Sequence, residues 1–343
     1  MSDATPSGLL VSTHDLCWRH DPGPGHPERA DRLTAVRRGI ELSGVSEAVT
    51  WVEAPEAARA AIEAVHQPAL LARLEDLDRQ GGGEIDADTW TSSESVSAAL
   101  RAAGAGLDLI ERLERGEGAV GWSVVRPPGH HATSGQSMGF CLMNNVAVAA
   151  RHLVSRGERV VIVDIDAHHG NGTQDVFYAD PNVLFISFHQ SPLYPFSGRP
   201  DEMGVGAGVG TTMNIALPAG TTGEAYRAGI EVVLAPVIER FAPTWLLVSV
   251  GFDAHRADPI TDLGLSAGDY GDVVADLLGF APPGRRLLFL EGGYDLQALI
   301  DSAGAVAAVA VGEQHRPEAP TSGGPGAAAI ETARQIHIER RLG

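Results

Sequence analysis

Residues 160–174, VVIVDIDAHHGNGTQ, pass directly from apolar, strand-forming side chains to charged side chains and glycines. Asp166 and His168 stand two positions apart after the apolar run, so an extended backbone would point both side chains the same way. Together they are plausible zinc ligands, although a hydrogen-bonded turn would explain the pair equally well. Asp253, after another apolar run, is the candidate third ligand. Two carboxylates and one neutral imidazole would balance the zinc charge and leave positions open for water and a carbonyl oxygen, as catalytic sites require.

A second group of titratable residues follows a Pro-Pro turn. In the stretch RPPGHHA, His130 and His131 are adjacent, and a turn by itself needs no imidazole. Histidine titrates nearest to neutral pH, so a pair beside a metal site predicts general acid and base groups. Each imidazole needs an orienting partner, and Asp164 and Asn171 are available in the first stretch. A negative partner would keep one imidazole charged, whereas a neutral asparagine would leave the other able to accept and return a proton.

The stretch EGGYD places Tyr294 after two glycines that allow a close approach of the backbone. A phenol in this position could donate a hydrogen bond to a developing oxyanion. A tyrosine in a glycine turn is more often a packing residue, but beside the other loops it is the candidate oxyanion donor.

Short apolar runs alternate with helical patterns along the chain. The runs cover residues 119–125, 159–165, 182–188, 244–252 and 286–294, and the helical patterns cover 144–155, 223–241 and 267–278. Continuous apolar strands joined by helices predict an α/β fold, a three-layer α/β/α single domain with a mainly parallel central sheet. Polar or glycine-rich turns follow every run, so five loops should converge at the carboxyl edge of the sheet.

The composition changes after Gly312. We expect the body to span residues 1–312 and a tail to span residues 313–343, with a Pro- and Gly-rich connector and a short helix in AAAIETARQIHIERRL. The sequence does not decide whether this helix docks on the body.

The composition limits the classes of partner. The 343 residues carry a net charge of −19, and all 25 basic residues are arginine, which base bias in the genome would explain. Such acidity argues against nucleic acid and favours cationic or neutral substrates, or serves solubility alone. The chain has only two cysteines, and its start lacks a basic region followed by an apolar stretch, which predicts a cytoplasmic protein. No apolar run reaches the length of about 20 residues that a membrane helix needs, so we expect no membrane segment.

Five motifs in this order, RPPGHHA, GFCLMNN, DIDAHHGNGTQ, SVGFDAHRADP and EGGYD, closely resemble the zinc-dependent histone deacetylase superfamily, with HPERADRL upstream. Within it, the chain looks like the class II branch and its bacterial amidohydrolase relatives, which share the arginase/deacetylase fold. The resemblance extends from about Leu9 to about Gly312.

The resemblance implies one catalytic zinc held by Asp166, His168 and Asp253. It implies that His131 shuttles the proton and His130 tunes the site, backed by Asn171 and Asp164, and that Tyr294 is the oxyanion donor. It implies that Phe140 and Tyr194 form the walls of an acyl-lysine tunnel next to Gly139. Asp88 would lie at the rim of this tunnel, Ile260 near its gate, and Arg32 at an internal channel. The resemblance also implies a structural potassium, with these ligands: Asp164, Asp166, His168, Ser187 and the carbonyl of Phe188.

Some residues differ from those of related subgroups and families, and these differences limit the activities that we expect. One class II subgroup has histidine in place of Tyr294 and is a poor deacetylase, so we expect activity here. That subgroup also holds a structural zinc through cysteines; Cys17 stands alone and Gln80 takes one such position, so we expect no second zinc. Ureohydrolases, the nearest rival enzymes, hold two manganese ions through aspartates at the positions of Gly170 and His255.

The substrate stays open between acetyl-lysine in a protein, an acetylated polyamine and another small acetylated amine. The acidity suits a polyamine, but Ile260 stands where one polyamine-selective branch has a glutamate. A catalytically silent acyl-lysine binder would be expected to lack a metal ligand, one of the paired histidines or Tyr294, and the sequence keeps all of them. No feature of the sequence indicates the oligomeric state.

Overall fold

The computed structural model describes residues 7–339, so the outermost ends of the predicted body and tail, residues 1–6 and 340–343, lie outside the described residues. The strands in chain order are β1 (Leu9–Thr13), β2 (Val49–Glu53), β3 (Gly82–Glu84), β4 (Trp90–Ser92), β5 (Val120–Ser123), β6 (Val160–Asp164), β7 (Val183–Gln190), β8 (Thr212–Leu217), β9 (Trp245–Val250) and β10 (Arg286–Leu290). Eight of them form one parallel sheet in the order β2-β1-β5-β10-β9-β6-β7-β8, and β3 and β4 form a separate antiparallel hairpin.

Helices connect the strands and cover both faces of the sheet. They are α1 (Leu16–Arg19), α2 (Asp31–Leu42), α3 (Arg59–Glu63), α4 (Pro68–Arg79), α5 (Ser95–Glu114), α6 (Asn145–Ser155), α7 (Asn171–Phe177), α8 (Gly223–Gly229), α9 (Ala235–Phe241), α10 (Ala267–Leu278), α11 (Leu296–Ala310) and α12 (Ala327–Arg334). Helices α2, α8, α10 and α11 pack together on one face, and α4, α5, α6 and α7 on the other.

Alternate side chains of each strand enter two different apolar layers, as the period of a strand requires. In β6, Val161 and Val163 belong to the layer beneath α2, α10 and α11, whereas Val160 and Ile162 belong to the layer beneath α5 and α6. The continuous apolar runs in the sequence follow from burial on both faces. The predicted three-layer α/β/α single domain is confirmed.

The five predicted runs became β5, β6, β7, β9 and β10, which are the five central strands of the sheet. Their carboxyl ends lie at one edge, where the loops that carry the candidate residues begin. Several helix starts near this edge are capped by side chains: Asn144 accepts from the Ala147 amide at 2.9 Å, and Asp295 accepts from the Ala298 amide at 2.8 Å.

Two predicted helices differ in detail from the sequence pattern. Residues 223–241 form α8 and α9 with a π-helical turn, Ile230–Leu234, between them. Pro236 has no amide hydrogen to donate, which accounts for an irregular turn just before it.

The sequence left open whether the tail helix docks on the body. Helix α12 does dock, as the burial of Ile330 and Ala333 in the main core shows.

Candidate active site

Three side chains from two central strands converge at the carboxyl edge of the sheet. Asp166 and His168 follow β6, Asp253 follows β9, and all three are buried. Nδ1 of His168 lies 3.1 Å from Oδ1 of Asp166 and 2.9 Å from Oδ2 of Asp253. One ligand atom from each residue lies within 4.8 Å of the others. Two carboxylates and an imidazole in this arrangement suit a tetrahedral zinc with an open position.

Backbone amides hold both carboxylates in place. Asp166 accepts hydrogen bonds from the amides of His168 and Gly292, each at 2.8 Å. Asp253 accepts from the amide of Ala167 at 2.7 Å. The carboxylates are therefore fixed by backbone amides of two loops, those after β6 and β10.

The charges of this cluster need a cation. Burial and the negative charge of Asp166 raise the pKa of the Asp253 carboxyl to about 7. Burial opposes a proton on His168, but its hydrogen bonds to Asp166 and Asp253 raise the pKa of this imidazole to about 10. A proton on His168 and a divalent metal are alternative ways to balance the two buried carboxylates. The donor set therefore fits the zinc that the sequence predicts.

The two adjacent histidines stand beside this cluster with different partners. Nδ1 of His130 lies 3.0 Å from Oδ2 of Asp164, and Nδ1 of His131 lies 2.7 Å from Oδ1 of Asn171. Because an amide oxygen only accepts, Nδ1 of His131 carries the hydrogen, which leaves Nε2 as the acceptor. The structure thus brings each histidine to the partner proposed from the sequence.

A pocket of about 250 Å³ opens over this cluster. Its walls contain all five substrate-contact residues predicted from the sequence, together with three that were not predicted as site residues, Pro128, Leu193 and Gly292. The lining residues are Asp88, Pro128, His130, His131, Gly139, Phe140, His168, Leu193, Tyr194, Ile260, Gly292 and Tyr294.

The backbone at Gly139 and Phe140 is constrained by its contact with His131. Gly139 has φ +55°, and a Cβ there would lie 2.5 Å from the His131 ring. Phe140 has φ 67°, and its amide donates to the Thr89 hydroxyl at 3.1 Å. A side chain with Cβ seldom adopts this conformation, and such residues concentrate at functional sites. The Phe140 ring meets Tyr294 edge-on at 5.9 Å between ring centroids.

Gly170 and His255 stand at the positions where two-metal sites have aspartates, and both make other contacts here. A Cβ at Gly170 would lie 2.2 Å from Oδ2 of Asp164, so no aspartate fits there without moving the partner of His130. Nε2 of His255 faces Oε2 of Glu318 at 2.7 Å. Neither position offers a ligand to a second metal.

Comparison with known proteins agrees with this geometry. A family model described as the histone deacetylase domain matches residues 26–310. The chain belongs to the histone deacetylase family. A probable deacetylase of Archaeoglobus fulgidus is 38% identical and covers 87% of this chain and 85% of its own, and histone deacetylase 10, chloroplastic, of rice (Oryza sativa subsp. japonica) is 35% identical over 87% and 73%. The solved HDA15 HD domain has a TM-score of 0.90 and 32% identity, covering 98% of this chain and 95% of the other.

Family membership and these relatives support a hydrolase with deacetylase activity in general. Within residues 7–339 of this histone deacetylase homologue, no helix is long and apolar enough to cross a membrane.

Several supporting residues of this histone deacetylase site could not be predicted from the sequence motifs. Buried Glu291 accepts hydrogen bonds from the amides of Gly129 and His130, at 2.8 and 3.1 Å, and so fixes the histidine loop to the end of β10. Burial raises the pKa of Glu291 to about 7. In the sequence, Glu291 is the first residue of the motif EGGYD and directly follows an apolar run, but neither feature indicates these two hydrogen bonds.

Tyr294 is held from two sides. Its amide donates to Asp258 at 2.8 Å, and the Arg32 guanidinium lies 5.1 Å from its ring centroid. Arg32 is buried and donates to the Gly293 carbonyl at 2.6 Å and to Glu28 at 2.9 Å. Burial raises the pKa of Tyr294 well above its ordinary value although Arg32 opposes this, so the phenol keeps its hydrogen.

The remaining predicted residues lie just behind the pocket. Asp164 and Ser187 are register partners in β6 and β7, and the Ser187 hydroxyl lies 3.0 Å from Nδ1 of His189. Phe188 is buried and stacks on Tyr226. His169, whose role the motifs leave open, contacts Ser197 at 2.8 Å and Gln174 at 3.0 Å.

Proposed function

We propose that this protein is a zinc-dependent amidohydrolase that removes the acetyl group from acetyl-lysine or from a small acetylated amine. The observation that carries the proposal is the buried donor set of Asp166, His168 and Asp253 at the floor of a pocket that also contains His131 and Tyr294. A pocket walled by the aromatic side chains of Phe140, Tyr194 and Tyr294 suits a linear acylated amine.

The metal would be held by Nδ1 of His168 and one oxygen each of Asp166 and Asp253. When bound, zinc would polarise the amide carbonyl and make a water more acidic.

The proton transfers belong to His131. Because Asn171 holds the hydrogen on Nδ1, Nε2 is free to take the proton of the attacking water and then to give it to the departing amine. Burial and the charges of His130 and His168 lower the pKa of His131 well below its ordinary value, so it enters the reaction neutral.

The oxyanion donor would be Tyr294, whose protonated phenol lines the pocket. His130 would supply a fixed positive charge: burial opposes it, but Asp166 and Asp164 raise the pKa of this imidazole well above its ordinary value. Asp88 and Ile260 would contact the outer part of the substrate, between the walls Phe140 and Tyr194.

We also propose the structural potassium, held by Asp164, Ser187 and the carbonyl of Phe188, with Asp166 and His168 contributing. The support is the burial of these residues at the adjacent ends of β6 and β7.

The decisive test measures acetate release from acetyl-lysine amide, an acetyl-lysine peptide, acetylputrescine and acetylspermidine by the zinc-loaded protein. Turnover of any lysine substrate supports the proposal. Exclusive turnover of the polyamines would support the acetylpolyamine alternative, which the net charge of −19 favours. No turnover of any of them would overturn the deacetylase proposal in favour of a silent binder.

A further inference from the structure

Two residues after Tyr194, which lines the pocket, the chain carries a strongly exposed aromatic side chain. Among the exposed large apolar residues in the described part of the chain, Phe196 has the highest exposure, 80%. The next most exposed residues of this class are Val209 at 62% and Leu42 and Val205 at 50% each.

Phe196 belongs to the same turn as two residues that line the pocket. Its amide donates to the Leu193 carbonyl at 2.8 Å, and Leu193 and Tyr194 both line the pocket. Ile260, from the loop after β9, also lines the pocket and is itself 38% exposed. We call Leu193, Phe196 and Ile260 the apolar collar.

The exposure of Phe196 is fixed by the backbone. Phe196 has φ 61°, in the left-handed region that disfavours a residue with Cβ. The turn is anchored directly after it: the Ser197 hydroxyl meets Nδ1 of buried His169 at 2.8 Å, and the Gly198 carbonyl accepts from Nε2 of buried His189 at 3.0 Å. Two buried histidines thus hold a strained turn that presents an aromatic ring to solvent, and strain of this kind is kept where it serves a function.

We propose that the apolar collar is a specificity site that receives a large apolar side chain next to the acetylated lysine of a peptide. This inference rests on the proposed deacetylase function, because the acetyl amide must reach His131 and Tyr294 at the floor of the pocket. The mouth then faces whatever continues beyond the lysine side chain.

The collar offers a peptide an interaction that a polyamine cannot use. An acetylated polyamine would place ammonium groups at the mouth, where the Asp88 carboxylate, and not the aliphatic side chains of Leu193 and Ile260, is the group that could pair with them. A leucine or phenylalanine beside acetyl-lysine would instead bury its surface against Phe196 and Ile260. The collar therefore adds affinity for a peptide that carries such a side chain.

The test compares kcat/KM for two acetyl-lysine peptides that differ only in the neighbouring residue, leucine or glycine, and for acetylputrescine. Phe196→Asn removes the ring and keeps a residue that tolerates positive φ. The matched control is Leu42→Asn, because Leu42 is also exposed but ends α2 just before β2 begins, at the opposite edge of the sheet. Ile260→Asn is a second test of the collar.

We expect the wild-type protein to prefer the leucine peptide by about tenfold, which corresponds to burial of part of one aromatic surface. Phe196→Asn should lower this preference and leave the glycine peptide within about twofold, and Ile260→Asn should lower the preference for leucine over glycine as well, whereas Leu42→Asn should change neither the preference nor the turnover of the glycine peptide. Equal turnover of both peptides by the wild type, or a preference that survives both substitutions, would overturn the collar but not the deacetylase function. Preference for acetylputrescine would overturn the collar as a peptide site, and silence toward every substrate would overturn both proposals.

Discussion

His130 and His131 have the same side chain at adjacent positions, with ring centroids 4.0 Å apart, yet their pKa values shift in opposite directions. Burial lowers both values. At His130, the carboxylates of Asp166 and Asp164 outweigh burial. At His131 the partner is the neutral Asn171, and the positive charge of His130 adds to burial. One partner residue therefore separates a fixed charge from a proton carrier.

Exchange of that partner should move the pH profile. In Asn171→Asp, a carboxylate would replace the amide oxygen 2.7 Å from Nδ1 and would raise the pKa of His131. Since the base acts only when neutral, the acid limb of the profile of kcat/KM against pH should move to higher pH. Asn171→Ala should lower kcat by about tenfold to a hundredfold, without such a shift. An unchanged acid limb in Asn171→Asp would show that His131 is not the base.

Removal of the Tyr294 hydroxyl should act on the transition state. Tyr294→Phe keeps the ring contacts with Phe140 and Arg32 and removes only the donor. We expect kcat to fall about a hundredfold to a thousandfold with little change in KM. Zinc content, measured alongside, should stay the same. Full activity of Tyr294→Phe would refute its assignment as oxyanion donor.

Gly170 should tolerate no side chain. In Gly170→Ala, the new Cβ would lie 2.2 Å from Oδ2 of Asp164, so the carboxylate or the loop must move. We expect a loss of about 1–3 kcal/mol in the free energy of unfolding, measured with urea, and a fall in activity. The control is Gly271→Ala in α10, where the nearest atom is at 3.5 Å and alanine should stabilise the helix by up to about 1 kcal/mol. Equal effects of the two substitutions would contradict this account.

At the scale of elements, the sequence motifs predict which strand ends carry the chemistry but not what aligns the loops. The motif residues follow apolar runs, so their convergence could be inferred. Glu291 and Asp258 accept hydrogen bonds from backbone amides of other loops, and periodicity does not encode such pairings. The sequence did not predict a role for the exposed turn at Phe196 either, because that role depends on which surface lies next to the turn.

His66 also holds two segments near the site in place, and it should make the free energy of unfolding depend on pH. It is buried, its Nδ1 donates to the Thr133 carbonyl at 2.9 Å, and its Nε2 accepts from the Asn144 amide at 2.9 Å. This neutral form joins the histidine loop to the start of α6. Burial lowers the pKa of His66 from the ordinary 6.5 to about 4.

Between these two pH values the unfolded chain binds more protons than the folded one, so acid favours unfolding. The native contribution of His66 is complete above pH 6.5 and is lost as the pH falls toward 4, by up to about 3 kcal/mol. Urea unfolding at several pH values should show a steeper acid loss for the wild type than for His66→Gln, which does not titrate. Parallel pH dependences would refute the role of His66.

At the scale of the whole molecule, the layered fold could be predicted because the central strands are continuously apolar. Three strands of the main sheet were missed: β2 is largely half-buried or exposed, β8 carries Asn214, whose side chain donates to Gln174 at 2.8 Å, and β1 is buried but only five residues long. The cytoplasmic location stays a prediction.

The metal should contribute to global stability. Without it, the two buried carboxylates of Asp166 and Asp253 are balanced only by the protonated imidazoles of His168 and His130. Zinc at 100 times its Kd would add about 2.7 kcal/mol to the free energy of unfolding. Chelation should therefore lower Tm and zinc should restore it, whereas His168→Ala should show no response to zinc. A Tm that is indifferent to zinc in the wild type would argue against a metal in this cluster.

The strand order has a consequence for how the protein is made. Strands β2, β1 and β5 form one half of the sheet, β9, β6, β7 and β8 form the other, and β10 alone joins them. Since β10 is the last strand in the chain, the two halves cannot pair through it until residues 286–290 have been synthesised. Glu291 and Tyr294, the candidate oxyanion donor, follow β10 directly, so the candidate site is completed only by one of the last segments to be made.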